Sequence, residues 1–216
     1  MTDRPTLYWI SGSPPAWRVM LGLTLKGVAW DSRRLDHGAG ENKEPAYLAL
    51  NPKGQVPTLV LGDLVIRESI ALLAWMDREW PERSIWGDTS DEAAAVWQDV
   101  MVMEGDLRPV VTATAQGLIR GHALPDGTLD TLTGQMNALD ARLADARFLG
   151  GAAPMAADCW LYPAIGWIAR CVQLAGVDAP DTTRTLTTSR PALAAWRDRM
   201  AALPGVADTH PPHWRD

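Results

Sequence analysis

The chain has 216 residues, enough for one large domain or two small ones. Hydrophobic residues make up 47% and charged residues 21%, which implies a packed globular protein and excludes a disordered one. A net charge of −6 argues against nucleic acid as a partner, and no run approaches the roughly 18 uninterrupted apolar residues of a membrane span.

The opening MTDRPT lacks the apolar core of a secretory signal, so a cytoplasmic location is expected. TLYWI then reads as a strand and residues 15–27 as an amphipathic helix, with Ser11-Gly12-Ser13-Pro14-Pro15 at their junction. VAWDSRRLD reads as a second strand, EPAYLAL as a short helix and NPKGQVP as a turn. TLVL and LVI are strands joined by Gly62-Asp63, and ESIALLAWMDREW is a helix. The order βαβαββα describes a small mixed sheet flanked by helices, an α/β domain over residues 1–82.

Residues 83–90 read as a linker, and residues 91–216 as an all-α domain. Within it Val96, Val100, Met103 and Leu107 repeat at helical spacing, as do Leu132, Met136, Leu139 and Leu143, and then Leu193, Trp196 and Met200. Breakers in GHALPDGT, LGGAAP and GVDAPDTT separate the helices. Trp17, Trp97, Trp160 and Trp196 fall in apolar-periodic segments and are expected in the core; Trp80, Trp86 and Trp214, beside proline or glycine, are expected at a surface or a pocket rim. Cys159 and Cys171 share one apolar segment and are expected as buried thiols. The histidines His37, His122, His210 and His213 form no ligand pattern, and no metal is expected.

Chemistry concentrates at three junctions. Ser13 before Pro14 reads as an N-cap with proline at the first helical position. Pro14 and Pro15 carry no N–H, so two of the four orphan donors at this helix end are absent. Ser13 Oγ can accept from the Ala16 N–H and still donate its own hydrogen, at a helix end whose dipole favours negative charge. The junction is therefore either a plain cap or a donor to a bound thiolate or other anion. Ser11, ahead of the Gly12 hinge, reads as a loop residue satisfying backbone. A cis Val56–Pro57 bond would turn the Val56 N–H and C=O toward a groove, suited to pairing with an extended peptide. Glu68 and Ser69 open a helix; beyond capping, Ser69 with free helix N–H groups can hold a carboxylate and Glu68 an ammonium. Lys43 by itself reads as a solvated charge.

Taken in order and at this spacing, these motifs resemble the cytosolic glutathione transferases over essentially the whole chain. GSPPAWRVMLGL resembles the first strand-to-helix junction of the rho class, and more loosely of the tau and zeta classes, whose catalytic serine lies four residues before the tryptophan; here that residue is Ser13. NPKGQVPTL resembles the family's NPxGxVP segment with its cis-proline, Pro57. Glu68-Ser69 resembles its Glu/Gln-Ser pair, Lys43 a lysine that contacts the glycyl carboxylate of glutathione, and HPPHW a rho-type ending.

The resemblance implies a thioredoxin-like N-terminal domain, a helical-bundle C-terminal domain, glutathione as co-substrate, no metal, and a homodimer. It implies that Glu68 and Ser69 hold the γ-glutamyl head, that Val56 pairs with the cysteinyl unit, and that Gln55 and Lys43 hold the glycyl end. Ser13 would donate to the sulfur, with Ser11 as the other catalytic candidate. Trp97, Met101, Arg108 and Trp214 would line the site of a small hydrophobic electrophile, core packing being the other reading of Trp97 and Met101. The implied activity is conjugation by a glutathione thiolate; the alternatives are a zeta-type glutathione-dependent isomerase and a non-catalytic ligand carrier of the same fold. Two positions depart from the family pattern. No cysteine lies between Ser11 and Arg18, with Ala16 where rho sequences often have one, which disfavours mixed-disulfide chemistry. Met155 stands where the family places a Ser or Thr cap three residues before Asp158, so that cap must be supplied differently.

Overall fold

The computed structural model describes residues 4–214. The chain forms two compact units: the first runs to Ile85 and takes in the tail from Pro204, and the second is Trp86–Leu203. The first contains β1 (Thr6–Trp9), α1 (Pro14–Lys26), β2 (Asp31–Arg34), α2 (Pro45–Leu50), β3 (Thr58–Leu61), β4 (Leu64–Arg67) and α3 (Ser69–Glu79). The sheet order is β2-β1-β3-β4, with β1 parallel to β2 and antiparallel to β3, and with β3 and β4 forming a hairpin. This is the expected thioredoxin-like βαβαββα order.

The second strand is shorter than VAWDSRRLD promised. It is an edge strand that pairs only opposite Thr6–Trp9, and its four residues are all exposed. Its charges guard the edge against pairing with another chain. Leu7 and Leu59 of the sheet, Val19 and Leu23 of α1, and Leu72 and Met76 of α3 are fully buried together. Gly22 sets the approach of α1 to α3, since a Cβ there would lie 2.5 Å from Leu73 Cδ2.

The second unit holds α4 (Ser90–Val102), a wide turn of π geometry (Met103–Leu107), α5 (Arg108–Arg120), α6 (Thr128–Ala144), α7 (Ala156–Ala175), the short α8 (Asp181–Arg184) and α9 (Pro191–Ala201). A capping box starts α4: Thr89 Oγ1 accepts from the Glu92 N–H at 3.2 Å, and Glu92 Oε2 accepts from the Thr89 N–H at 3.1 Å. The wide turn carries Glu104, which accepts from the Trp160 indole at 2.8 Å and pairs with Arg108 at 2.8 Å.

Asp158, fully buried at the start of α7, accepts from the N–H groups of Leu149 and Met155 at 2.9 Å and from the Trp196 indole at 2.7 Å. Burial pushes its carboxyl above the usual range even against these donors. Only this returning half of a capping box is made by hydrogen bonds of ordinary strength. The Met155 side chain instead covers Gly150, where a Cβ would lie 2.4 Å from Met155 Cγ. Cys159 and Cys171 are buried, and burial pushes the Cys171 thiol up to about 11, out of reach of thiolate chemistry near neutral pH.

Two tryptophans exchange their expected places. Trp86 is 4% exposed and Trp97 is 39% exposed. Their rings stack at 3.9 Å with an interplanar angle of 23°, so Trp97 shields Trp86 and takes the solvent-facing side itself. Among the described residues no helix is long and apolar enough to cross a membrane, and no group of three or more His, Cys, Asp or Glu is placed to hold a metal ion.

Candidate active site

Between β1 and α1 the chain makes one tight turn. The Ser13 N–H donates to the Ile10 carbonyl at 3.1 Å, and Gly12, third in the turn, has φ of 85°. That is the position of a type II turn where a Cβ is disfavoured. Ser13 follows in an extended conformation, and its Oγ accepts from the Ala16 N–H at 3.4 Å. The cap uses a lone pair and not the hydroxyl hydrogen. Pro14 and Pro15, with no N–H of their own, leave Ser13 as the donor of this helix end.

Ser11 does not bond the backbone as its loop position suggested. Its Oγ lies 2.6 Å from His213 Nδ1, and His213 Nε2 accepts from the Trp214 indole at 3.0 Å. The tail reaches this turn because Trp17 holds it. The Trp17 indole donates to Thr209 Oγ1 at 2.7 Å, and its ring meets His210 edge-on at 4.8 Å and Trp214 edge-on at 5.5 Å. Gly12 also permits the approach, since a Cβ there would lie 2.9 Å from His213 Cε1.

The Val56–Pro57 bond is cis. Side chains fix the carbonyls just before it. Tyr47 donates to the Gln55 carbonyl at 2.6 Å, Asn51 Nδ2 donates to the same oxygen at 2.8 Å, and Asn42 Nδ2 donates to the Gly54 carbonyl at 2.7 Å. Burial pushes the Tyr47 phenol up, so it remains a donor. Gln55 itself is exposed. Lys43, also exposed, reaches the Lys53 carbonyl at 3.3 Å.

Glu68 occupies the N-cap position of α3 with φ 67°, uncommon outside glycine, and makes no side-chain capping hydrogen bond. Its exposed carboxylate pairs with the exposed Lys53 at 2.7 Å. Ser69, at the first position of α3, is buried and accepts from Arg18 Nη1 at 3.2 Å. Arg18 is itself only 3% exposed, so a buried guanidinium backs a helix end already suited to an anion. The sequence reading gave Arg18 no place beside Ser69, because the pair is 51 positions apart and no local pattern joins them.

The remaining candidates divide between the units. Trp214 packs on Trp17 beside Ser11 and Ser13 in the first. Trp97 and Met101, four residues apart and therefore on one face of α4, are both exposed in the second. Arg108, also in the second, is held by Glu104.

Residues 12–79 match the family model of the glutathione S-transferase N-terminal domain, and residues 125–199 that of the C-terminal domain. Glutathione S-transferase 1 of Dianthus caryophyllus is 34% identical over 109 residues, 50% of this chain and 49% of that protein, so the chain spans about half the length of this relative. Maleylacetoacetate isomerase of Pseudomonas aeruginosa is 28% identical over 166 residues, 73% of this chain and 78% of that protein. In fold, the chain is similar to a glutathione S-transferase from the Antarctic clam Laternula elliptica, with a TM-score of 0.81 at 24% identity, over 99% of this chain and 95% of that one. The two domain matches cover more than half of the chain, in the order of its two units. The chain belongs to the glutathione S-transferase family.

Proposed function

We propose that this protein binds glutathione on its first unit and activates it as a thiolate for attack on a small hydrophobic electrophile. The observation that carries this reading is the cap of α1: Ser13 accepts from Ala16 and keeps its hydrogen for an outside acceptor at the positive end of a helix. A free thiol has a pKa near roughly 8.5, so only a few per cent is thiolate at neutral pH. Lowering it by about two units makes the thiolate predominant, a differential stabilisation of about 2.7 kcal/mol. A hydroxyl donor and a helix dipole acting on the same atom suit that magnitude. The thiol proton leaves to water, and Ser13 retains its own.

The peptide is held away from the sulfur. Glu68 takes the γ-glutamyl ammonium, and Ser69 with the α3 N-terminus takes its carboxylate, a role supported by the buried Arg18 behind Ser69. The Val56 main chain pairs with the cysteinyl unit beside Pro57, and Gln55 and Lys43 take the glycyl end. For the electrophile, Trp97 and Met101 offer an exposed face of α4 with Arg108 in the same unit, and Trp214 offers an aromatic ring packed on Trp17 in the first unit. A cytoplasmic homodimer completes the reading. The relative named maleylacetoacetate isomerase favours a second one, in which the same thiolate catalyses cis–trans isomerisation of a small dicarboxylate.

Retention on immobilised glutathione, followed by assays with an aryl halide and with a cis-unsaturated dicarboxylate, tests the choice. Retention with conjugation is expected. Retention with isomerisation alone would select the second reading, retention with neither would leave a ligand carrier, and no retention would overturn glutathione as co-substrate.

A further inference from the structure

We propose that His213, on the tail, polarises Ser11 into a second hydroxyl donor to the glutathione sulfur; this rests on the thiolate reading above. The direction of each hydrogen bond in the group is fixed by chemistry. An indole N–H can only donate, so Trp214 Nε1 at 3.0 Å requires His213 Nε2 to carry a lone pair. The proton of the neutral ring is then on Nδ1, which lies 2.6 Å from Ser11 Oγ. Ser11 is the acceptor in that contact, and its own hydrogen is left for an outside partner.

Donation therefore runs one way, from indole to imidazole to hydroxyl, and each bond polarises the next. The chain ends in a hydroxyl whose best acceptor is an anion. Ser11 and Ser13 are the second and fourth residues of one turn, with Cα atoms no more than about 7 Å apart. One sulfur atom between them is within reach of both hydroxyls.

The same tautomer excludes a serine nucleophile. A His base would need a lone pair on Nδ1, and that nitrogen carries the proton. The thiol proton goes to water, while Ser11, Ser13 and His213 all keep theirs. His213 is thus a positioning residue that acts through Ser11. It comes to Ser11 with little freedom to lose, because the Trp17–Thr209 bond and the Trp17–Trp214 contact already hold the tail.

The test follows thiolate absorbance against pH with glutathione bound, together with steady-state kinetics, for wild type, His213→Ala, His213→Asn, Ser11→Ala and the His213→Ala/Ser11→Ala pair. Ser11→Ala should raise the pKa of the bound thiol by about 0.7 and lower kcat about fivefold, the effect of one neutral hydrogen bond. His213→Ala should give a smaller shift of the same sign, because the Ser11 hydroxyl stays and loses only its polarising partner. The KM for glutathione should be unchanged in both. His213→Asn, whose amide N–H can stand where Nδ1–H stood, should recover most of the His213→Ala loss. The double variant should be no worse than Ser11→Ala alone. A bound-thiol pKa in His213→Ala equal to that of wild type would overturn the proposal, as would additive losses in the double variant or a fall in thermal stability alone. Wild type that fails to bind glutathione would overturn the thiolate reading itself; intact binding with an unmoved thiol pKa in His213→Ala would overturn only the role of His213.

Discussion

The indole N–H of Trp17 donates to the Thr209 hydroxyl at 2.7 Å, joining residues 192 positions apart. Thr209 passes its hydrogen to the Val206 carbonyl at 2.7 Å, so the hydroxyl is satisfied on both sides in a buried setting. This bond fastens the tail beside the turn that carries Ser11 and Ser13. Trp17→Phe keeps an aromatic ring and removes the donor. It should cost about 1–2 kcal/mol of stability and speed amide exchange across residues 204–214 more than elsewhere. Identical exchange in that segment would mean that ring packing alone holds the tail.

Tyr47 and Asn51 share the Gln55 carbonyl and the Thr58 hydroxyl. Tyr47→Phe leaves Asn51 as the remaining side-chain donor to that carbonyl. The loop before Pro57 should loosen, with stability lower by about 1–2 kcal/mol and the KM for glutathione raised severalfold while kcat holds. Titration calorimetry with glutathione reads the affinity directly; an unchanged affinity would separate this network from the peptide site.

Backbone N–H bonds from Asp88 and Thr89 hold the Glu92 carboxyl below its ordinary value of 4.5. For an acid depressed in this way, the stabilisation is complete above 4.5 and is lost as pH falls through the lower folded value. Amide exchange at Asp88 and Thr89 should therefore be constant from neutral pH to that point, once corrected for its intrinsic pH dependence, and should rise below it. Glu92→Gln should lack this acid-dependent step. If the step persists in Glu92→Gln, another group governs the start of α4.

Asp158 gathers donors from two loop amides, its own helix end and the Trp196 indole. Asp158→Ala strands these groups in a buried site and should destabilise the protein by at least about 3 kcal/mol, each unpaired donor costing about 1–3. Met155→Ser supplies the missing cap, worth about 0.5–2 kcal/mol, but uncovers Gly150. The net change should be a gain of less than about 1 kcal/mol. Denaturant unfolding of both variants measures this, and a destabilised Met155→Ser would mean that the cover over Gly150 outweighs a cap.

Elements with a local signature were legible in the sequence. Ser13 with Pro14 specifies a helix start by its own chemistry, Gly62-Asp63 a hairpin, and the spacing of Val96 to Leu107 a helical face. Contacts between distant segments were not. Nothing near Ser11 announces His213, and nothing near Ser69 announces Arg18, because the first pair depends on where the tail packs and the second on how α1 packs against α3. The exchange of Trp86 and Trp97 has a similar origin. Periodicity assigns a residue to a helix face, but which of two stacked rings meets solvent depends on the packing of the whole unit.

The central claim is that the Ser13 hydroxyl stabilises the glutathione thiolate at the end of α1. Its most direct test is the pKa of bound glutathione, read from thiolate absorbance in wild type and in Ser13→Ala. The substitution should raise that pKa by about one to two units and lower turnover about ten- to a hundredfold, equivalent to about 1.4–2.7 kcal/mol, with glutathione affinity nearly unchanged because the peptide is held elsewhere. A bound-thiol pKa in Ser13→Ala equal to that of wild type, at equal affinity, would contradict the claim and leave Ser13 as a helix cap alone.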